Sequence, residues 1–283
     1  MASLRPFRLD VAKLDSVGEY PLASGAFGDV WRGQYGSCDV AIKRIKQNET
    51  SDIVKFIDEK LLLASLHCEA IVTFMGVVWY RPTDLACVVE YMDLGDLRTI
   101  LATKSPAEFT WDTKERSVAR IVQGLLYLHT FHPPIIHRDL KSRNVLLDTT
   151  KGTKLADFGQ SRAIDASTLT SDVGTYQWMA PEVIEGKRYS VAADVYSFGV
   201  VLSEFSTHRV PYSDAVHPRT LQLYNHQYVL SLVTSGSIKP TLDATTTPEW
   251  ALNLARRCCA TNPVDRPDMQ TVATMLAQKL PCF

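Results

Sequence analysis

The first third of the chain alternates short apolar runs with turns that contain glycine. Between about residues 20 and 92 these runs are rich in β-branched and aromatic residues, a pattern that predicts β-strands. Three such runs are Val30–Trp31, Val40–Ile42 and Val77–Tyr80. One helical pattern interrupts them from about residue 52 to residue 67, with Thr50 or Ser51 as the expected cap. This part is therefore predicted to be mainly strand with a single helix.

Longer apolar repeats with a period near 3.6 residues follow, and they predict amphipathic helices. The repeats run over Asp112–His129, Ala192–Phe205 and Asp268–Leu280. A strand-rich part followed by a helix-rich part predicts an α+β fold with two lobes. We place a lead segment at residues 1–19, an amino lobe at 20–92 and a carboxyl lobe at 93–283. A cleft between two lobes is a favoured place for a ligand.

Composition and charge narrow the class of protein. The 283 residues include 46% hydrophobic and 22% charged residues, values that argue against a disordered chain. A formal charge of −1 gives no global electrostatic reason to expect nucleic acid or an acidic membrane as a partner. We find neither a run of about 20 apolar residues nor the apolar core of a secretory signal. We therefore expect a soluble cytoplasmic protein without a membrane span.

The segment Ala23–Val30 lies between two predicted strands and contains Gly25 and Gly28. Glycine lets the backbone turn tightly and approach a ligand closely, because no Cβ stands in the way. Taken alone, the segment is more simply a plain hairpin.

Lys43 ends an apolar strand pattern and has a candidate partner in the helix that follows. Glu59 falls within the apolar stripe formed by Phe56, Leu63 and Leu66. A carboxylate that faces a core is costly unless it is paired. The sequence therefore predicts an ion pair between Lys43 and Glu59, which would hold the ammonium ready for anionic oxygens.

A dense polar cluster, His137–Asn144, stands between two apolar runs and is typical of a functional loop. Any one of its charges is more simply a solvated surface group, but the set is hard to explain by stability alone. Further on, Asp157 ends another strand pattern. Asp157 and Asn144 both offer oxygen atoms, which Mg²⁺ prefers as ligands.

The ordered set of motifs resembles the eukaryotic protein kinase family. The motifs are A-S-G-A-F-G-D-V from Ala23, V-A-I-K ending at Lys43, Glu59, H-R-D-L-K-S-R-N from His137, D-F-G from Asp157, A-P-E from Ala180, D-V-Y-S-F-G from Asp194, and Arg266. The likeness covers about residues 20 to 280 and implies the bilobal kinase fold. It also implies ATP and Mg²⁺ as cofactors and a protein as the substrate.

The resemblance assigns roles position by position. The loop over the ATP phosphates would comprise Ala23, Ser24, Gly25, Ala26, Phe27 and Gly28. The adenine and ribose would meet Val30, Ala41, Glu90, Met92, Asp96 and Leu146. Lys43, paired with Glu59, would hold the α- and β-phosphates, while Asn144 and Asp157 would bind magnesium. Asp139 would orient the attacking hydroxyl.

Two features concern specificity and regulation. Lys141, two residues after Asp139, resembles the serine/threonine kinases, and the segment from Gly174 to Glu182 resembles the tyrosine-kinase-like group, which includes mixed-lineage and receptor-interacting kinases. Dual specificity stays open. By resemblance Arg138 would pair with a phosphate on the activation segment, and Thr175 would lie near Asp139. The candidate phosphorylation sites are Thr168, Thr170 and Ser171, modified by an upstream kinase or by self-phosphorylation in trans; the alternative is that these hydroxyls simply suit a loop.

The resemblance also implies structural roles for Asp194, Glu182 and Arg266. Asp194 would anchor the backbone of the catalytic loop, and Glu182 would form a buried pair with Arg266. Ala23 departs from the family pattern, which has glycine there, so the loop would be stiffer. The alternatives are a pseudokinase scaffold, which usually lacks a residue such as Lys43, and a small-metabolite kinase. We also expect the chain to be the excised catalytic portion of a longer protein.

Overall fold

A computed structural model describes residues 1–25, 28–45, 50–158, 162–163, 176–217 and 219–280, and it divides into two compact units. The first unit contains residues 1–93 and 156–159, and the second contains residues 94–155 and 160–283. Residues 1–19 thus belong to the first unit. The predicted α+β fold, with strands in the amino part and helices in the carboxyl part, is confirmed.

The first unit is built on an antiparallel sheet with the strand order β1-β3-β4-β6-β5, and β2 pairs with β3. Its strands are β1 (Leu14–Ser16), β2 (Ala23–Gly25), β3 (Gly28–Tyr35), β4 (Cys38–Ile45), β5 (Phe74–Val78) and β6 (Ala86–Glu90). The three apolar runs chosen from the sequence fall on β3, β4 and β5. The last run was too long, because β5 ends at Val78 rather than at Tyr80.

Helix α1 (Thr50–Ser65) is the single long helix among the described residues of the first unit. It begins two residues before the predicted start and ends two residues before the predicted end. The expected capping role of Thr50 or Ser51 is wrong, because both residues lie inside the helix rather than before it. Asp52 lies in the first turn, where the helix dipole favours a negative charge.

Alternate residues of the sheet face opposite sides, and two buried clusters in the described part of the first unit divide between these faces. The cluster toward α1, which we call the α1 cluster, comprises Leu4, Phe56, Ile57, Val77, Leu85 and Cys87. The cluster on the other face, which we call the sheet cluster, comprises Val40, Ile42, Val78, Ala86 and Val88. Val77 and Val78 are neighbours in sequence but belong to different clusters, as strand geometry requires.

The second unit is mainly helical. Its helices are α2 (Leu97–Thr103), α3 (Trp111–His129), α4 (Pro181–Ile184), α5 (Val191–Thr207), α6 (His226–Thr234), α7 (Glu249–Cys258) and α8 (Met269–Ala277). Its short strands are β7 (Gly95–Asp96), β8 (Ile135–Ile136), β9 (Val145–Asp148), β10 (Gly152–Leu155) and β11 (Arg162–Ala163). Strand β9 lies between β7 and β10, and β8 pairs with β11.

Helix α5 forms the centre of the second unit. It is buried without interruption from Ala193 to Ser206, as its nearly continuous apolar sequence requires. The predicted helices over α3 and α5 are confirmed to within two residues at each end. The last predicted helix is shorter than expected: Asp268 caps α8 by accepting a hydrogen bond from the Thr271 N–H, and the helix ends at Ala277. None of the described helices is both long enough and apolar enough to cross a membrane.

Candidate active site

Lys43 occupies the middle of the sheet in the first unit. It lies on β4 opposite Val30 of β3 and Cys87 of β6. Its Nζ donates a hydrogen bond to Asp157 Oδ1 at 2.7 Å and lies 3.6 Å from Glu59 Oε1. Burial alone would lower the pKa of Lys43, but the two carboxylates outweigh it and raise the pKa above its ordinary value. The ammonium is therefore held charged, as a contact to phosphate oxygens requires.

Glu59 faces the sheet from α1 as its helical spacing predicts, and its side chain is only 8% exposed. The next residue, Lys60, was missed by sequence reasoning. Its ammonium donates to Glu59 Oε1 and lies 4.5 Å from the centre of the Phe56 ring, with 2% of the side chain exposed. Glu59 is thus shared by two lysines, Lys43 and Lys60. The burial of Lys60 could have been inferred from the sequence. Lys60 stands beside Glu59 on a helix with a wide apolar stripe, and a stripe of that width can include two adjacent positions.

Asp157 adopts a left-handed backbone conformation, with φ of 60°. This region is uncommon for residues other than glycine, and such conformations concentrate at functional sites. The following residue, Phe158, is almost fully buried. The buried ring fixes the chain while the exposed carboxylate of Asp157 reaches Lys43.

The proposed phosphate loop begins as a hairpin. Ala23 pairs with Val30, Ser24 with Asp29 and Gly25 with Gly28. A Cβ on Gly28 would lie 2.1 Å from the carbonyl oxygen of Arg44, so the neighbouring strand alone excludes any larger residue there. Ala23 and Ser24 are exposed. Ala26 and Phe27 lie outside the described residues.

The second unit brings together Asp139, Lys141 and Asn144. Lys141 Nζ lies 2.8 Å from Asp139 Oδ2, and the Asn144 side-chain nitrogen donates to the backbone oxygen of Asp139 at 2.7 Å and to Oδ2 at 2.9 Å. The side chain of Asp139 is therefore held from two sides. Because the amide nitrogen of Asn144 is used in this way, its oxygen is the atom that can meet a cation.

Asp194 anchors the loop that carries Asp139, as the family resemblance implies. The buried carboxylate accepts hydrogen bonds from the backbone N–H of His137 at 2.8 Å and of Arg138 at 3.0 Å, and it lies 3.0 Å from His129 Nε2. Burial by itself would raise the pKa of Asp194, but these bonds and the neighbouring imidazoles lower it below its ordinary value. Arg138 has φ of 66°, so the anchor stabilises a strained turn immediately before Asp139.

A second buried carboxylate, Glu204 of α5, was missed by sequence reasoning. It accepts hydrogen bonds from Ser142 Oγ at 2.6 Å and from Trp178 Nε1 at 2.7 Å, and it pairs with Arg98 at 3.1 Å. Burial raises the pKa of Glu204 despite these contacts. The residue joins the catalytic loop to the segment before the A-P-E motif and to α2. A carboxylate inside an apolar helix was the available signal, as it was for Glu59.

The residues expected around the adenine and ribose differ in how far they are buried. Val30 and Ala41 in the first unit, and Leu146 in the second, are half-buried. Met92 is buried, and Glu90 Oε1 accepts a hydrogen bond from the Thr73 N–H at 2.6 Å.

Asp96 caps α2, and both of its carboxylate oxygens accept hydrogen bonds from Thr99. The capping bonds explain why an aspartate suits this position. Its contact with ribose stays a prediction.

The expected magnesium ligands fit that ion chemically. Asp157 supplies a carboxylate and Asn144 an amide oxygen, which are hard donors of the kind Mg²⁺ selects. Among the described residues no group of three or more His, Cys, Asp or Glu side chains could hold a metal by itself.

Of the residues expected to regulate the site, the structure describes Arg138 only. The Arg138 guanidinium lies 5.4 Å from the centre of the Tyr189 ring. Thr168, Thr170, Ser171 and Thr175 lie outside the described residues. The expected pair between Glu182 and Arg266 is present and bidentate, with two N–O distances of 2.7 Å in a buried position.

The comparison with known families identifies the class of protein. The model of the family described as protein tyrosine and serine/threonine kinase matches residues 18–276. The chain therefore belongs to this family, and the resemblance inferred from the motifs is confirmed. Proteins of this family generally use ATP and Mg²⁺ and act on protein substrates.

Three relatives place the chain further. A probable serine/threonine-protein kinase of Dictyostelium discoideum is 35% identical over 90% of this chain and 24% of its own length. In Arabidopsis thaliana, serine/threonine-protein kinase STY46 is 35% identical over 92% of this chain and 43% of its own length. Serine/threonine/tyrosine-protein kinase HT1 of the same plant is 34% identical over 92% of this chain and 65% of its own length. The chain thus spans between a quarter and two thirds of these relatives, whose names agree with the predicted serine/threonine class.

Proposed function

We propose that this chain is an active kinase domain, which transfers the γ-phosphoryl group of Mg-ATP to serine and threonine hydroxyls of proteins. The observation that carries the proposal is the contact of Lys43 with both Glu59 and Asp157 within the first unit. Phosphoryl transfer needs little covalent help from the protein, so alignment and neutralisation of charge supply most of the rate. Lys43 would neutralise the α- and β-phosphates.

The catalytic loop supports the same proposal. Asp139 would orient the substrate hydroxyl and accept its proton, with Lys141 and Asn144 fixing the carboxylate. Asn144 and Asp157 would hold magnesium, which would supply further neutralisation of the phosphate charge. Lys141 favours serine and threonine as acceptors. Dual specificity is a second candidate, because one relative is named a serine/threonine/tyrosine kinase.

An assay with Mg-ATP and a generic protein substrate tests the activity. We expect Lys43→Met and Asp139→Asn to lower the rate by at least a hundredfold, because each removes a charge that acts on the reacting groups. Matched controls are Lys55→Met and Asp112→Asn, which change exposed residues on α1 and α3. Phosphate transfer that is absent in the wild-type chain, or undiminished in Asp139→Asn, would contradict the proposal and favour a scaffold. Phosphoamino-acid analysis of the product separates serine/threonine from dual specificity.

Regulation by phosphorylation is the second part of the proposal. Arg138 precedes Asp139, and its guanidinium can form paired, charge-assisted bonds with a phosphate. A phosphate on Thr168, Thr170 or Ser171 would order the activation segment, and it would come from an upstream kinase or from a second molecule of this chain. Phosphopeptide mapping of the active protein should find one of these residues modified. A fully active protein without phosphate in this stretch would contradict regulation by phosphorylation.

A cytoplasmic location is also part of the proposal.

A further inference from the structure

The first nine residues form a strap, Met1–Leu9, that is fixed along β5. Its Ala2–Phe7 segment is a short 3₁₀ helix. At its end Arg8 pairs in parallel with Val77, and the Leu9 N–H donates to the Val77 oxygen at 2.9 Å. The backbone of the strap is therefore attached to the sheet of the first unit.

Side chains hold the strap to β5 and to Trp79, the residue that follows it. Phe7 contacts Phe74 edge-to-face with ring centres 5.6 Å apart. The Arg8 guanidinium donates to the Trp79 oxygen at 2.9 Å and lies 4.5 Å from the centre of the Trp79 ring. A Cβ on Gly76 would lie 2.6 Å from the Phe7 oxygen, so the strap approaches β5 more closely than any residue other than glycine at position 76 would allow. This close fit indicates one defined position for the strap.

Leu4 connects the strap to α1. It is completely buried and belongs to the α1 cluster, together with Phe56 and Ile57 of the helix. The cluster also contains Val77 of β5, so Leu4 fills space between the helix and the sheet. Phe56 lies one turn before Glu59, which is the residue that pairs with Lys43. Removal of the Leu4 side chain would leave a cavity, and the helix could then shift toward the sheet or rotate.

We propose that Leu4 is a positioning residue for phosphoryl transfer, which acts by holding α1 so that Glu59 reaches Lys43. The inference rests on the proposed kinase activity, but the placement of α1 can be measured without it. A displacement of about 1 Å in an aligned site can lower a rate by about a hundredfold. Leu4 thus acts on the rate through the position of Glu59 and touches no reacting atom.

The test uses the full chain with Leu4→Ala and a matched core variant, Val40→Ala. Val40 is equally buried but belongs to the sheet cluster, on the face of the sheet away from α1. At a temperature where both variants are folded, we expect kcat/KM for ATP to fall ten- to hundredfold in Leu4→Ala and less than threefold in Val40→Ala. Leu4→Ile should restore most of the loss, because it returns an apolar side chain of equal size.

A double variant tests the route through Glu59. If Leu4 acts through this carboxylate, Leu4→Ala lowers kcat/KM in the wild-type background but not in the Glu59→Gln background. If the effects of Leu4→Ala and Glu59→Gln on kcat/KM multiply instead, Leu4 does not act through Glu59 and this part of the inference is overturned.

Hydrogen exchange of residues 50–65 supplies a readout besides activity. Leu4→Ala should speed amide exchange in α1 at least tenfold over Val40→Ala. If the wild-type chain lacks kinase activity, the proposed function fails. Faster amide exchange of α1 in Leu4→Ala would still show that Leu4 holds this helix in place. If exchange and kcat/KM in Leu4→Ala match those of Val40→Ala, the inference is overturned, because Leu4 then contributes stability only.

Discussion

The anchor formed by Asp194 leads to a prediction about the catalytic loop. In Asp194→Asn the carboxylate becomes an amide of nearly the same shape, which has one acceptor oxygen instead of two. The best orientation keeps that oxygen near the His137 N–H and His129, where Oδ2 now lies. The amide NH₂ group then faces the Arg138 N–H, a donor against a donor, in place of a 3.0 Å bond.

The cost can be worked out from these contacts. One charge-assisted hydrogen bond is lost, the Arg138 N–H is left without its acceptor, and the remaining bonds lose the negative charge. A buried group left without its partner costs about 1 to 3 kcal/mol, and more where a charge is involved. We therefore expect the free energy of unfolding to fall by about 3 kcal/mol. Because the turn before Asp139 is strained and loses its anchor, kcat should fall by more than tenfold as well.

The assay combines urea unfolding with steady-state kinetics at saturating ATP. The matched control is Asp148→Asn, which changes another buried carboxylate, one that accepts bonds from the backbone of Thr150 and Lys151 in the turn between β9 and β10. The control should lose stability while its kcat stays within about threefold of wild type. Equal losses of kcat in the two variants would refute the claim that Asp194 positions the loop. A loss of stability below about 1 kcal/mol in Asp194→Asn would refute the estimate.

Two other predictions concern buried charges of the second unit. Arg266→Lys keeps a charge but cannot form the bidentate pair with Glu182, so at least one charge-assisted hydrogen bond is lost and the free energy of unfolding should fall by about 2 to 3 kcal/mol. The exposed Arg256, 3.9 Å from Glu249, is the control, and Arg256→Lys should cost less than about 1 kcal/mol; similar losses would contradict the prediction. Burial lowers the pKa of Lys114 to about 8, so between pH 8 and about 10.5 the folded chain has released a proton that the unfolded chain still keeps. The contribution of Lys114 to stability should therefore rise with pH in that window. Lys114→Met should raise the free energy of unfolding by about 1 to 3 kcal/mol at pH 7 and remove the pH dependence. An unchanged difference between variant and wild type from pH 7 to 11 would disprove it.

Local patterns were sufficient for much of the fold. The periods of apolar residues located α3 and α5 to within two residues, because a helix face and a strand face each impose their own spacing. The ends of the helices and strands were predicted less accurately. Strand β5 stops before Trp79 and Tyr80, although both residues favour strands, and Thr50 joined the helix that it was expected to cap. At such positions tertiary contacts override weak local preferences.

The sequence by itself determined the family, the order of the motifs and the residue types that the chemistry requires, since these are properties of local order along the chain. Only the tertiary structure decided which buried groups share a partner. Ser142 and Arg98 meet at Glu204 from 62 and 106 residues away, and Leu4 lies under a helix that begins at Thr50. Lys60 competes with Lys43 for one carboxylate, and Gly28 is required by a carbonyl of the neighbouring strand. Such contacts depend on packing between distant segments, which no spacing along the chain records.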